Sequence, residues 1–140
     1  MYDSCLAKQT ELQAIFSAYP SLEEKYNKII EFGKALPPSK SQLKIPKNLV
    51  SGCQSETYLQ AILENGKVRF EVASDALISA GLAALLVYVY DNETPETILK
   101  CPPAFLDEIG INASLTPSRS NGLYSIHLKM KQDALKLLVA

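Results

Sequence analysis

The feature that most constrains the fold of this chain is a pair of alternating segments separated by Asn65-Gly66. Alternation of apolar and polar side chains is typical of a half-buried β-strand, and Asn-Gly favours the two-residue type I′ turn of a hairpin. Folding about that turn gathers one apolar face, in the pairs Leu63–Val68, Ala61–Phe70 and Leu59–Val72. The sequence therefore predicts an antiparallel hairpin over about residues 57–72, and Asn48 to Ser51 are a candidate third strand.

Helical patterns lie on both sides of this hairpin. Apolar residues recur at helical spacing in about residues 6–18, 22–36 and 119–139, and shorter helices are expected at 94–100 and 103–109. Residues 76–90 are apolar nearly all round, which is typical of a central, covered helix, and Asp75 is expected to cap it. Ser21 and Glu24 have the spacing of a capping box. We expect a single α+β domain spanning 1–140, with helices flanking a short antiparallel sheet of about three strands.

Charge and hydropathy exclude several classes of function. Fourteen basic and fifteen acidic residues give a formal net charge of -1, so we expect no nucleic-acid or anionic-membrane partner. The first residues lack the basic and apolar regions of a secretory signal. The longest apolar stretch, Ala76 to Tyr90, is shorter than the roughly 20 residues that span a bilayer. These observations predict a cytoplasmic protein.

The three cysteines, Cys5, Cys53 and Cys101, do not form a recognisable metal or disulfide pattern. No C-x-x-C pair is present and His127 is the single histidine, so neither a closed zinc site nor a disulfide framework is expected. Cys5 and Cys101 are interpreted as incidental, with Cys101, between Lys100 and Pro102, the more exposed of the two.

The candidate functional segment is Ser51-Gly52-Cys53-Gln54-Ser55, between an extended stretch and the first strand of the hairpin. Gly52 permits a sharp turn, and a thiol presented there becomes a nucleophile as the thiolate. Local chemistry leaves open whether Cys53 is this nucleophile or a buried structural cysteine. His127, beside the apolar stripe of the last helix, could pair with Cys53 in a cysteine hydrolase, although a lone helical histidine is more often simply packed.

Arg119, just before or at the start of the last helix, has two possible roles. Its charge could support a thiolate or persulfide, or it could form an ion pair with a carboxylate such as Asp75 that holds two helix starts together. The sequence alone does not choose between these roles, and both can hold at once.

Several motifs together resemble the SufE family of sulfur acceptors in iron–sulfur cluster assembly. The matching motifs are Ile29-Ile30-Glu31-Phe32-Gly33-Lys34-Ala35-Leu36-Pro37, Val50-Ser51-Gly52-Cys53-Gln54-Ser55, Ser74-Asp75-Ala76-Leu77-Ile78 and Leu115-Thr116-Pro117-Ser118-Arg119-Ser120-Asn121-Gly122. The glycine–cysteine–glutamine–serine element together with the serine–arginine–serine element is the specific part of the match. One departure is Tyr58, where the family commonly has tryptophan after the cysteine motif.

The resemblance implies a fold like that of SufE and the scaffold protein IscU, with Cys53 as the persulfide-forming cysteine. It assigns supporting positions to Gly52, Gln54, Ser55, Asp75 and Arg119. It further implies a cysteine desulfurase as sulfur donor, an iron–sulfur scaffold complex as recipient, and a possible homodimer. The pyridoxal phosphate would belong to the desulfurase, and this chain would be a carrier and activator without a cofactor or metal of its own, not a stand-alone enzyme. The alternative function is an IscU-like scaffold that itself holds a cluster or metal.

Overall fold

The computed structural model describes residues 2–37, 41–52, 55–110 and 117–139, with 41 and 117–121 described by their backbone alone. Its helices and strands are α1 (Asp3–Ser17), α2 (Leu22–Lys34), β1 (Thr57–Glu64), β2 (Lys67–Ser74), α3 (Leu77–Tyr90), α4 (Pro95–Lys100), α5 (Phe105–Glu108) and α6 (Pro117–Val139). Two short 3₁₀ turns, Ser41–Leu43 and Pro46–Asn48, precede β1. The predicted α+β class is confirmed. The last helix begins at Pro117, two residues earlier than expected, because proline suits the first turn of a helix.

The hairpin has the predicted register. Leu63 pairs with Val68, Ala61 with Phe70 and Leu59 with Val72. Asn65 and Gly66 both have positive φ, 53° and 79°, as a type I′ turn requires. Leu63 is nevertheless 45% exposed, because the tip of the hairpin extends beyond the helices that cover its base.

The expected count of about three strands is wrong for the described residues, which form a two-stranded sheet. The candidate strand at 48–51 contributes only the single bridge Leu49–Tyr58 and the hydrogen bond from Val50 N to Thr57 O. A 3₁₀ turn ends at Asn48, and Gly52 turns the chain at a φ of +93°, so pairing cannot continue in either direction. A second single bridge, Val68–Glu93, lies on the other edge.

Helix α3 is the centre of the core, as its all-round apolar pattern predicts. Its buried residues are Ile78, Gly81, Leu82, Ala83, Ala84, Leu85, Leu86, Val89 and Tyr90. Helix α2 packs against α3 at very short range. A Cβ on Gly33 would lie 2.7 Å from the backbone nitrogen of Gly81, and a Cβ on Gly81 would collide with the Ile29 carbonyl. The two glycines therefore set the spacing of this helix pair.

The two predicted helix caps have opposite outcomes. Ser21 Oγ accepts from the Glu24 amide and the Glu24 carboxylate accepts from the Ser21 amide, so the capping box is confirmed. The predicted cap at Asp75 is wrong. The residue that precedes α3 is Ala76, which has no capping side chain, and Asp75 instead accepts a hydrogen bond from the Glu56 amide (3.1 Å). Within the described ranges, no helix is both long and apolar enough to cross a membrane.

Candidate functional site

Gly52, on one side of the cysteine segment, lies against helix α6. Its φ of +93° is a conformation that side chains disfavour. A Cβ built on it would lie 2.5 Å from Ser125 Oγ and 3.4 Å from Ser125 Cβ. The backbone therefore passes α6 at a distance that only glycine allows, and this contact fixes where the segment leaves its preceding strand-like stretch.

Ser55, on the other side, begins a chain of hydroxyl groups that joins three elements. Its Oγ donates to Ser79 Oγ of α3 (3.0 Å) and lies 3.3 Å from Thr57 Oγ1 at the start of β1. The Thr57 hydroxyl, which is fully buried, lies 3.0 Å from Ser74 Oγ at the end of β2. These four hydroxyls fasten the exit of the segment to the sheet and to the first turn of α3. Sequence reasoning missed them, because only the folded chain brings them together.

Asp75 forms hydrogen bonds at the same end of the sheet, where β1 begins and β2 ends. Its carboxylate accepts from the Glu56 amide, and its own amide donates to the Glu56 carbonyl (3.2 Å). Beside this reciprocal pair, Lys44 and Tyr58 line a shallow cleft. The exposed Asp75 therefore holds Glu56, the residue that precedes β1, in place, and Tyr58 lies in the cleft beside them.

The predicted residues Cys53 and Gln54 lie outside the described residues, as does the side chain of Arg119. The two alternative roles of Arg119, support of the Cys53 sulfur and an ion pair with Asp75, therefore both stay predictions. Among the predicted supporting residues, the structure brings Gly52, Ser55 and Asp75 to one end of the hairpin, next to α6 and the start of α3.

His127 faces the core of the protein. Its ring packs on Tyr90 at 5.2 Å between centroids, and its buried Nε2 has no hydrogen-bond partner within the described part of the chain. Burial, with a smaller contribution from Lys131, lowers the pKa of His127 to about 4, so the imidazole is neutral at physiological pH. It follows Ser125 by two residues, about 200° further round the helix, and so points away from the Gly52 contact. This arrangement supports the interpretation of His127 as a packed helix residue.

Cys5 and Cys101 are both free and buried, at 0% and 2% exposure, so the expected difference in exposure between the two cysteines is negligible. Gln9 of α1 lies between them, with its Nε2 3.8 Å from Cys5 Sγ and 3.4 Å from Cys101 Sγ. The same nitrogen donates to the Pro102 carbonyl (3.0 Å). Burial and the hydrogen bond with Cys101 raise the pKa of Cys5 to about 12, which keeps this thiol protonated and unreactive.

A metal site would require several converging ligands. In the ranges that the structure describes, no three histidine, cysteine, aspartate or glutamate side chains are grouped to hold a metal ion. The described residues therefore do not supply a set of metal ligands for the alternative function, an IscU-like scaffold.

Comparisons of the sequence with a family model and with known proteins agree on one family. The model of the SufE family, described as an iron–sulfur (Fe-S) metabolism associated domain, matches residues 10–134. The chain is 38% identical over 120 residues to an uncharacterized SufE-like protein of Synechocystis, covering 86% of this chain and 76% of that protein. It is 38% identical over 133 residues to SufE-like protein 1, chloroplastic/mitochondrial, of Arabidopsis thaliana, which covers 92% of this chain but 36% of that longer protein.

A solved structure has the same architecture. The solution structure of a hypothetical protein from Thermus thermophilus superposes with a TM-score of 0.79 at 27% identity, covering 95% of this chain and 97% of the other. The sequence match and the fold therefore agree over nearly the whole length. This chain belongs to the SufE family, whose role is sulfur transfer in iron–sulfur metabolism.

Proposed function

We propose that this protein accepts persulfide sulfur on Cys53 from a cysteine desulfurase, stimulates that enzyme, and passes the sulfur to an iron–sulfur cluster scaffold. Membership of the SufE family supports sulfur transfer and a desulfurase partner. The motif Ser51-Gly52-Cys53-Gln54-Ser55 supports Cys53 as the acceptor. The protein acts as a carrier, and the pyridoxal phosphate that releases sulfur from cysteine belongs to the desulfurase.

The proposed step is a transfer between thiols with no net oxidation. The Cys53 thiolate attacks the outer sulfur of the persulfide on the desulfurase. A new sulfur–sulfur bond forms to Cys53, the bond to the desulfurase cysteine breaks, and that cysteine leaves as a thiolate carrying the electron pair. The rate depends on the thiolate fraction of Cys53, on the leaving thiol and on access of one cysteine to the other.

The observation that carries the proposal is that the residues on both sides of Cys53-Gln54 are held by specific contacts. Gly52 lies against Ser125, and Ser55 is bonded to Ser79 and lies near Thr57. Both flanks of the Cys53-Gln54 pair are therefore fixed at one end of the hairpin, and a transfer between two proteins requires the reacting groups to be positioned. The other two cysteines are buried around Gln9, which leaves Cys53 as the thiol that a large partner would engage.

The proposed function extends to the domain organisation, the compartment and the partners of the protein. The protein is a single SufE-like domain over residues 1–140 that acts in the cytoplasm, without a metal of its own and with neither nucleic acid nor membrane as a partner. Gln54 and Arg119 support the Cys53 sulfur, and self-association into a homodimer is compatible with this role.

The test mixes the protein with a purified cysteine desulfurase and free cysteine, then measures alanine production and the intact mass of this chain. We expect faster cysteine turnover and a mass gain of one sulfur atom, removed by reductant and absent in Cys53→Ser. Cys101→Ser is the matched control and should behave like the parent protein. Full stimulation by Cys53→Ser, with loss in Cys101→Ser, would show that Cys53 is not the acceptor.

A further inference from the structure

Helix α6 carries a second apolar stripe that the core does not use. Its buried face consists of Leu123, Ile126, Met130 and Ala134. On another face, Tyr124, Leu128, Leu135 and Leu138 are 67%, 38%, 50% and 42% exposed. With Lys131 these residues, the α6 stripe, follow one another at intervals of four, three, four and three. This is the spacing by which one helix packs along another, and here it extends for about 21 Å.

Charge on α6 indicates what kind of surface would cover the stripe. The chain has a net charge of -1, yet α6 contains Arg119, Lys129, Lys131 and Lys136 against the single acidic residue Asp133. Lys129 is paired with Asp133 (3.1 Å), whereas the half-buried Lys131 lies within the stripe itself. Lys136 lines a groove on the flank of the helix with Lys47 and Lys129. Two copies of α6 packed together would oppose their lysines, so an acidic partner fits better than a second copy.

The stripe begins next to the candidate site. Ser125 of α6 contacts Gly52, and the neighbouring residue Tyr124 is the most exposed member of the stripe. A protein that brings its own cysteine to Cys53 therefore meets this end of α6. Apolar anchors with a flanking ring of charge are the usual composition of such a docking surface.

We propose that the α6 stripe is the docking surface for the sulfur-donating desulfurase, and that it receives an acidic, amphipathic helix of that enzyme. The proposal rests on the proposed function, since it takes the partner from it. Tyr124, Leu128 and Leu135 supply the apolar contacts, and Lys131 pairs with a carboxylate of the partner.

The experiment measures the dissociation constant between the full chain and a purified cysteine desulfurase by calorimetry at low and at physiological salt. Leu135→Glu should weaken binding about tenfold or more, because it places a charge among the apolar anchors and repels an acidic partner. Lys131→Glu should weaken binding and reduce its dependence on salt. Leu6→Glu is the matched control: Leu6 is 45% exposed on α1, and its substitution should change binding by no more than about twofold.

Two further measurements separate this proposal from the function on which it rests. Loading with a small-molecule persulfide should place sulfur on Cys53 equally in Leu135→Glu and in the parent protein, and thermal melts confirm that the variants are folded. If Leu135→Glu is unfolded, Lys131→Glu and its salt dependence decide. If the folded stripe variants bind the desulfurase unchanged while Cys53→Ser still fails to take up sulfur, the proposed docking surface is wrong. The proposed function of Cys53 as sulfur acceptor would then still stand. A dimer in sedimentation that Leu135→Glu dissociates would also overturn it.

Discussion

Replacing Gly52 by alanine tests how the cysteine segment is held. The backbone conformation of Gly52, with a φ of +93°, is about 1–2 kcal/mol less favourable for alanine than for glycine, because alanine has a Cβ. Its new methyl group would also lie 2.5 Å from Ser125 Oγ, so that hydroxyl must leave its rotamer at a further cost of about 1 kcal/mol. Gly52→Ala should therefore lower the free energy of unfolding by about 2–3 kcal/mol.

The Ser125→Ala background separates the two contributions. Without the hydroxyl, the nearest Ser125 atom to the new methyl group is Cβ at 3.4 Å, so only the backbone cost of about 1–2 kcal/mol remains. Urea unfolding of the four proteins in this cycle, followed by circular dichroism, should give a coupling of about 1 kcal/mol at constant m-value. An equal cost of Gly52→Ala in both backgrounds would refute the contact. So would a gain of about 0.4–1 kcal/mol, the usual result where alanine is tolerated.

Three further predictions concern pH, thiol reactivity and Asp75. The pKa of His127 is about 4 in the folded protein, whereas an unperturbed imidazole has a pKa of about 6.5, so the unfolded chain binds the proton more tightly. The contribution of His127 to stability should therefore be constant above about pH 7 and fall by about 3 kcal/mol between pH 6.5 and 4. Urea titrations of His127→Leu should lack this part of the fall, and an unchanged pH profile in that variant would contradict it. Burial raises the pKa of Cys5 to about 12, so its thiol should react with iodoacetamide at pH 8 far more slowly in the native protein than in the urea-unfolded protein. Equal reaction rates would contradict the burial of Cys5. Asp75→Ala removes the acceptor of the Glu56 amide and should lower the free energy of unfolding in urea by about 1 kcal/mol. Asp75→Asn keeps an acceptor and should lower it by less. Equal losses of stability in the two variants would show that this hydrogen bond is not the cause.

Local chemistry predicted the hairpin and the capping box. The turn type of Asn65-Gly66 and the alternation on both sides fix the register without help from the rest of the chain. Ser21 and Glu24 are only three residues apart, so their bonds also depend on local spacing. Both features could be predicted from the sequence for this reason.

Features that depend on distant parts of the chain were missed or predicted wrongly. Asp75 was expected to cap the next helix, but the amide that it binds belongs to Glu56, nineteen residues earlier. Cys101 was expected to be more exposed than Cys5, but Gln9 of α1, 92 residues earlier in the sequence, lies against its thiol and Cys101 is buried. The hydroxyl chain from Ser79 to Ser74 requires β1, β2 and α3 to be adjacent. The recurrence of serine and threonine at the strand ends was the only signal of it in the sequence.

Peptide mapping shows directly whether the transferred sulfur is on Cys53. Cleavage after lysine and arginine places Cys5, Cys53 and Cys101 in three separate peptides, spanning residues 1–8, 48–67 and 101–119. After reaction with a desulfurase and cysteine, the thiols and persulfides are alkylated and the three peptides are weighed. We expect one additional sulfur atom on peptide 48–67 and none on the other two. Additional sulfur on the peptide of Cys5 or Cys101, with peptide 48–67 unmodified, would contradict it.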